Sequence, residues 1–214
     1  MVSLEKHLKH KSHILWDWNG TLLDDLELCA GIMREMMVEH GLDPISLDEH
    51  RKKFRLPVED FYKDLGFDLG RVEFKHLAED FVKKYRERFH LCRLFQGTSD
   101  LLASLQKAGK RQAVLSAARE KELHYLVQHF ELSGFFDFVF GLADSHAISK
   151  VERGKELLEQ WKAPRERAIL VGDMDHDRDV AKALGIDILL VDNGHQDLSH
   201  WITDPTLAVH PRRR

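Results

Sequence analysis

Short apolar runs of strand length alternate with helix-patterned segments, and this alternation restricts the fold more than any other feature of the chain. The runs are residues 14–16, 112–115, 136–140, 168–171 and 186–191. Between the later runs lie amphipathic stretches. Residues 98–108 carry Leu101, Leu102 and Leu105 and stop at Gly109, a residue suited to the left-handed position after a helix. Residues 120–130 repeat apolar side chains at Leu123, Leu126, Val127 and Phe130. Residues 150–161 and 177–184 follow the same pattern, the latter closed by Gly185. Strand–helix alternation at this spacing implies an α/β fold, a parallel sheet covered by helices on both faces.

Residues 24 to about 94 break the rhythm and show no convincing strand. Leu28, Ile32 and Met36 or Met37, then Gly41, describe one amphipathic helix and its stop. Ser46-Leu47-Asp48-Glu49 is a capping-box pattern that opens a second. Pro57 suits the first position of a third helix running to Leu65. Leu77, Phe81, Tyr85 and Phe89 step by four, a buried stripe on a fourth. The expected organisation is therefore an α/β core of residues 1–23 and 95–214 with an all-helical cap, residues 24–94, inserted after the first strand.

At 214 residues, 43% hydrophobic and 32% charged, the chain can bury a sizeable core and is not expected to be disordered. A net charge of −4 argues against nucleic acid as a partner. The basic Pro211-Arg212-Arg213-Arg214 tail reads as a solvated end. Cys29 and Cys92 are too few for a disulfide framework, lack metal spacing and read as packing residues. Residues 1–12 lack the apolar run of a signal peptide, and no stretch reaches the length of a membrane span. The expectation is a cytoplasmic protein, monomer or homodimer, with no membrane partner.

The chemistry-bearing residues fall at the ends of the apolar runs, where open α/β sheets place their sites. Asp17-Trp18-Asn19-Gly20-Thr21 follows the first run and enters a tight turn. Ser116-Ala117 follows the second; a hydroxyl there can donate to a phosphoryl oxygen, as can backbone N–H groups at a helix start. Lys150 opens a helical segment and supplies a cation. Lys155 lies further inside that helix and is the weaker choice. The run at 168–171 ends in Gly172-Asp173-Met174-Asp175-His176-Asp177, followed by Ala181, Ala183 and Gly185. A calcium loop starting at Asp173 would need Gly and Glu where Arg178 and Leu184 stand, so that reading is rejected.

These four elements, in this order, resemble the motifs of the haloacid dehalogenase-like hydrolases, in the helical-cap branch that contains phosphoglycolate phosphatase-like enzymes. The resemblance implies a Rossmann-like core, a mobile cap, and magnesium-dependent (Mg2+) hydrolysis of a small phosphorylated metabolite through an aspartyl phosphate on Asp17. It assigns catalysis to Asp17, Asn19 and Lys150. Gly20, Thr21, Ser116 and Ala117 would bind the phosphoryl group. Asp17, the backbone carbonyl of Asn19, Asp173 and Asp177 would serve the metal, a hard ion that takes oxygen ligands.

The first motif of that family usually reads Asp-x-Asp-Gly-Thr, and here Asn19 replaces the second aspartate. An amide cannot exchange a proton near neutral pH, and general acid–base catalysis is worth roughly 10²–10⁴-fold. Three readings follow. One is a phosphatase that is slow or borrows another acid, such as Asp175 or His176, for which Asn19→Asp should raise turnover. Another is a phosphotransferase or phosphomutase. The third is a phosphate-ligand binding protein with weak catalysis. A phosphonatase-type enzyme stays open through the Asp17-Trp18 pair and would need a cap lysine, Lys52, Lys53 or Lys63. Dehalogenases of the superfamily need no magnesium, which Asp173 and Asp177 argue against. Arg55, in a segment between two cap helices, is the candidate for a substrate carboxylate or second phosphate. The fourteen histidines show no convincing ligand pair, and His195 is placed at the edge of the site.

Overall fold

The computed structural model describes residues 7–142 and 149–198. The basic tail, residues 1–6 of the N-terminal segment and residues 143–148 of the polar loop before Lys150 lie outside the described residues.

Five parallel strands form the main sheet, in the order β5-β4-β1-β6-β7. They are β1 (His13–Trp16), β4 (Arg111–Arg119), β5 (Phe138–Leu142), β6 (Ala168–Gly172) and β7 (Asp187–Leu190). β1 is central: His13 to Trp16 pair with Arg111 to Val114 on one side and with Ala168 to Val171 on the other. A strand in that position is covered on both faces, which is why it reads as an uninterrupted apolar run.

The period of two in a strand separates the two faces. Ile14, Trp16, Val114, Ile169 and Val171 pack with Leu102 and Leu105 of α5 (Thr98–Lys107) and with Leu123, Leu126 and Val127 of α6 (Glu120–His129). On the other face, Leu15, Ala113, Leu115 and Leu170 pack with Leu157, Leu158 and Trp161 of α7 (Lys150–Trp161) and with Val180, Ala181 and Leu184 of α8 (Asp175–Leu184).

Four helices lie between β1 and α5: α1 (Leu26–Glu39), α2 (Leu47–Lys53), α3 (Val58–Asp64) and α4 (Phe74–Arg88). They have their own apolar cluster, built on Ile32, Met33, Met36, Met37, Phe61, Tyr62 and Leu77. The capping box at Ser46 forms, with Ser46 accepting from the Glu49 N–H. Pro57 stands one residue earlier than expected, as the residue before α3 rather than its first.

Two short strands correct the expectation of a strand-free block. β2 (Leu23–Asp24) and β3 (Arg93–Leu94) pair antiparallel, Leu23 with Leu94 and Asp24 with Arg93. Two-residue strands carry no periodicity, so the sequence could not reveal them. They tie together the two connections through which the chain enters and leaves the helical block. β4 also runs past its expected end, with a register break against β5 between Leu115 and Arg119.

Candidate active site

Neighbouring parallel strands bring Asp17 and Asp173 side by side. Asp17 directly follows β1 and Asp173 directly follows β6, its hydrogen-bonded neighbour. After Asp17 the chain winds tightly: Thr21, Leu22 and Leu23 all donate their N–H groups to the carbonyl of Trp18. Gly20 sits at φ +70°, and a Cβ there would collide with the Asp173 carboxylate.

Two helix starts complete the cluster. Ser149 caps α7 through a capping box with Glu152, so that Lys150 is the first residue of the helix. Its ammonium donates to Asp17 Oδ1 at 2.5 Å and to Asp177 Oδ1 at 2.7 Å. Asp177, in the first turn of α8, accepts from the Met174 N–H at 3.1 Å through its other oxygen. Asp173 accepts from Thr21 Oγ1 at 3.1 Å and from the His195 N–H at 2.7 Å. Asp173 and Asp177 are 0% and 2% exposed, whereas Asp17 keeps 8%, so Asp17 has the most access of the three.

Burial pushes Asp17 up to about 8; Lys150 pulls it down, and Asp177 and Asp173 push it further up. Burial also raises Asp173 to about 6, against the opposing pull of His195. Lys150 is disfavoured by burial, but Asp17 and Asp177 more than offset that and hold it charged. These shifts come first from burial of the carboxyl groups and second from their closeness to one another.

The donor set fits a hard divalent cation. Oxygens of Asp17, Asp173 and Asp177 lie within 4.8 Å of one another, all buried. In the whole cluster four carboxyl groups (Asp17, Asp25, Asp173, Asp177) meet two basic groups (Lys150, His195).

A second network adjoins the first. Asp25 Oδ1 accepts from the Gly20 N–H at 3.1 Å and bonds His195 Nε2 at 2.9 Å. Asp25 Oδ2 accepts from Asn19 Nδ2 at 2.6 Å and from the Tyr85 hydroxyl at 2.9 Å. Asn19 Nδ2 also donates to the Tyr85 oxygen at 2.8 Å. Burial alone would raise Asp25, but His195 and the donated hydrogen bonds bring its carboxyl below the usual range. Burial would lower His195, yet Asp25 raises it to about 9, so the ring is charged at neutral pH. Cys29 approaches the same carboxylate, Sγ to Asp25 Oδ2 at 3.7 Å. Asp25 and Tyr85 carried no signal as site residues in the sequence. His195, expected at the edge, is buried and bridges both networks.

The remaining candidates fall as follows. Ser116 is buried, and its Oγ accepts from the Ala118 N–H at 3.1 Å, while Ala117 is exposed. Lys155 is exposed and Lys150 takes the carboxylates. Asp175 pairs with Gln196 rather than with Asn19. Lys53 donates to the Asp64 carbonyl at the surface, and Lys63 pairs with Glu59 and Asp60. Lys63 is raised by the Glu59 hydrogen bond, the opposite of what an imine-forming amine needs.

Arg55 is corrected. It is exposed and its guanidinium pairs with Asp64 at 2.8 Å, because it lies beyond the end of α2. Arg51, still on the helix, makes the long reach instead. It donates to Asp192 Oδ1 at 2.6 Å, the Gly194 carbonyl at 2.9 Å and the Gln196 carbonyl at 3.0 Å. That clamp joins α2 to the loop carrying His195, whose ring packs against Phe54 at 5.7 Å between centroids.

The model of one protein family, described as haloacid dehalogenase-like hydrolase, matches residues 14–191. Tyrosine-protein kinase PtkA of Mycobacterium tuberculosis is 29% identical over 188 residues, 85% of this chain. The chain spans 62% of that relative's length. Phosphoglycolate phosphatase of Aquifex aeolicus is 28% identical over 198 residues, 91% of each protein. Among solved structures, a haloacid dehalogenase-like hydrolase from Streptococcus pneumoniae has a TM-score of 0.76 at 19% identity, covering 89% of each chain, a likeness of fold.

Proposed function

Because the chain belongs to the haloacid dehalogenase-like hydrolase family, matched over residues 14–191, we propose that it is a magnesium-dependent phosphatase of small phosphomonoesters. Relatives named for hydrolysis of phosphoglycolate and of N-acetylmuramic acid 6-phosphate support the substrate class. The observation that carries the reading is Asp17 at a strand end, paired with Lys150 and within 4.8 Å of Asp173 and Asp177.

Asp17, Asp173, Asp177 and the Asn19 carbonyl would hold the ion. When bound, it would draw off charge from the phosphoryl oxygens that repel a nucleophile. Asp17 then attacks phosphorus, the ester P–O bond breaks, and the alkoxide departs. Water attacks the aspartyl phosphate, releasing inorganic phosphate and regenerating the carboxylate. Lys150 faces the transferring group with its charge throughout. Gly20, Thr21, Ser116 and Ala117 line the remaining oxygens. Helices α1–α4 act as the cap that excludes water, with the β2–β3 ribbon at its base.

Asn19 favours a second reading, transfer to a hydroxyl acceptor rather than to water. An amide does not activate water, and one relative is named a kinase. A screen of small phosphates with and without magnesium tests the first reading. Added alcohols or tyrosyl peptides that divert phosphate into a new ester would favour the second. Release of phosphate that is independent of magnesium and survives in Asp17→Asn contradicts both.

A further inference from the structure

Asn19 is matched to Asp25 in the way its hydrogens are used. Asp25 is 1% exposed, and both of its oxygens are engaged as acceptors. Oδ1 takes the Gly20 N–H and the His195 ring, while Oδ2 takes Asn19 Nδ2 and the Tyr85 hydroxyl. An ionised carboxylate only accepts, and a tyrosine hydroxyl has one hydrogen, here given to Asp25. Residue 19 must therefore donate twice, to Asp25 at 2.6 Å and to the Tyr85 oxygen at 2.8 Å. An amide NH2 does this. An aspartate at position 19 would set acceptor against acceptor at that distance.

We propose that Asp25 and Tyr85 are positioning residues that fix the Asn19 side chain, and that Asn19 with Asp25 forms one interdependent pair. This rests on the phosphoryl-transfer reading only for its kinetic consequence. The pair holds the amide nitrogen inward and leaves the carbonyl end, an acceptor, outside the network. Tyr85 belongs to α4, while Asn19 and Asp25 flank the turn after β1. The helical block thus sets the orientation of a side chain two residues from the nucleophile. Asn19 is then no lone loss of an acid: restoring aspartate there, by itself, removes a donor that two partners need.

The reciprocal exchange is self-consistent. In Asp25→Asn, the new carbonyl can face Gly20 and His195 while the new NH2 faces position 19. With Asn19→Asp added, the carboxylate at position 19 accepts from that NH2 and from Tyr85. Asn19→Asp alone sets carboxylate against carboxylate. Asp25→Asn alone removes the negative charge beside His195, although a turned Asn19 amide can still meet its NH2. The double leaves no acceptor facing an acceptor.

The test is a four-corner cycle of wild type, Asn19→Asp, Asp25→Asn and the double variant. Unfolding midpoints and kcat and KM for magnesium-dependent hydrolysis of p-nitrophenyl phosphate are measured at each corner. Asn19→Asp is expected to lower the midpoint and to lower kcat about tenfold, Asp25→Asn to lower both by less, and the double to recover most of the Asn19→Asp loss, a coupling in the range seen for contacting side chains. Losses that simply add in the double, or a kcat raised by Asn19→Asp alone, would overturn the pairing. If wild type shows no hydrolysis dependent on Asp17, the functional reading fails, and the coupling of midpoints still decides the pairing. If a single variant does not fold, folding of the double supports the pairing and its failure to fold overturns it.

Discussion

Lys150 Nζ lies 2.5 Å from Asp17 Oδ1, although 133 residues separate the two in the chain. The same ammonium reaches Asp177, so one cation serves two strand-end or helix-start carboxylates. Replacing it with an isosteric apolar side chain removes the charge that pairs with Asp17 and Asp177 and that, under the proposed function, would face the phosphoryl group. Lys150→Met is expected to lower kcat by about 10²–10³-fold, the usual cost of losing one preorganised electrostatic donor. Its unfolding midpoint should fall more at pH 8 than at pH 5, because Asp17, held at about 8, is protonated at the lower pH and gains little from the ammonium there. An equal fall at both would contradict the ion-pair account.

Chelation should expose the crowding of the carboxylates. Burial holds Asp17 at about 8 and Asp173 at about 6, above the unfolded value of 3.8. Between those limits the folded protein keeps protons that the unfolded chain has lost. The stabilisation is complete below about 3.8 and is lost as pH rises through 6 and then 8. Under the proposed function, magnesium would compete with those protons. The rise in unfolding midpoint on adding magnesium to chelator-treated protein should therefore be larger at pH 8 than at pH 6.

Gly194 is a packing requirement of the site. A Cβ there would collide with the Asp173 carboxylate, which is already held by Thr21 and the His195 N–H. Gly194→Ala should weaken magnesium affinity about 10–100-fold, the range for disturbed outer partners of a metal site. Isothermal titration with magnesium reads this directly. A smaller loss of affinity at Gly134→Ala, where a Cβ meets nothing within 4 Å, is the control.

His50 predicts an acid-sensitive helical block. The ring is 2% exposed, stacked on Phe54 and edge-on to Phe61, and neither ring nitrogen has a partner among the described residues. Burial lowers it from 6.5 to about 4. The ring is neutral in the fold, so its contribution is intact above 6.5 and disappears as pH falls toward 4. The loss at full protonation is about 3 kcal/mol. His50→Phe should flatten the fall in unfolding midpoint between pH 7 and pH 5.

The sequence revealed the parts of the site that sit at the ends of regular elements. Asp17, Asp173, Asp177 and Lys150 each follow or open an apolar run, and the sheet order brings them together. The Asn19 network was not legible, because Tyr85 and His195 reach it only through the docking of α4 and of the loop after β7. Tyr85 read as one position in a buried stripe, a reading that describes its backbone and misses its hydroxyl, and Asp25 carried no reading at all. Arg55 carries the expectation because it lies between two helices, and nothing in the sequence marks Arg51. The longer reach came from the residue still held on α2, since a helix fixes the direction of its side chains and the loop does not. The β2–β3 pairing was invisible for want of length.

The account stands or falls on Asp17 as the phosphoryl acceptor. Rapid acid quench of the magnesium-loaded protein during turnover of p-nitrophenyl phosphate, followed by peptide mass spectrometry, locates any adduct. A phosphoryl group on Asp17 in wild type, and none in Asp17→Asn, which also stops phosphate release, is the predicted result. Phosphate release that persists in Asp17→Asn, or an adduct formed on another residue, would contradict it.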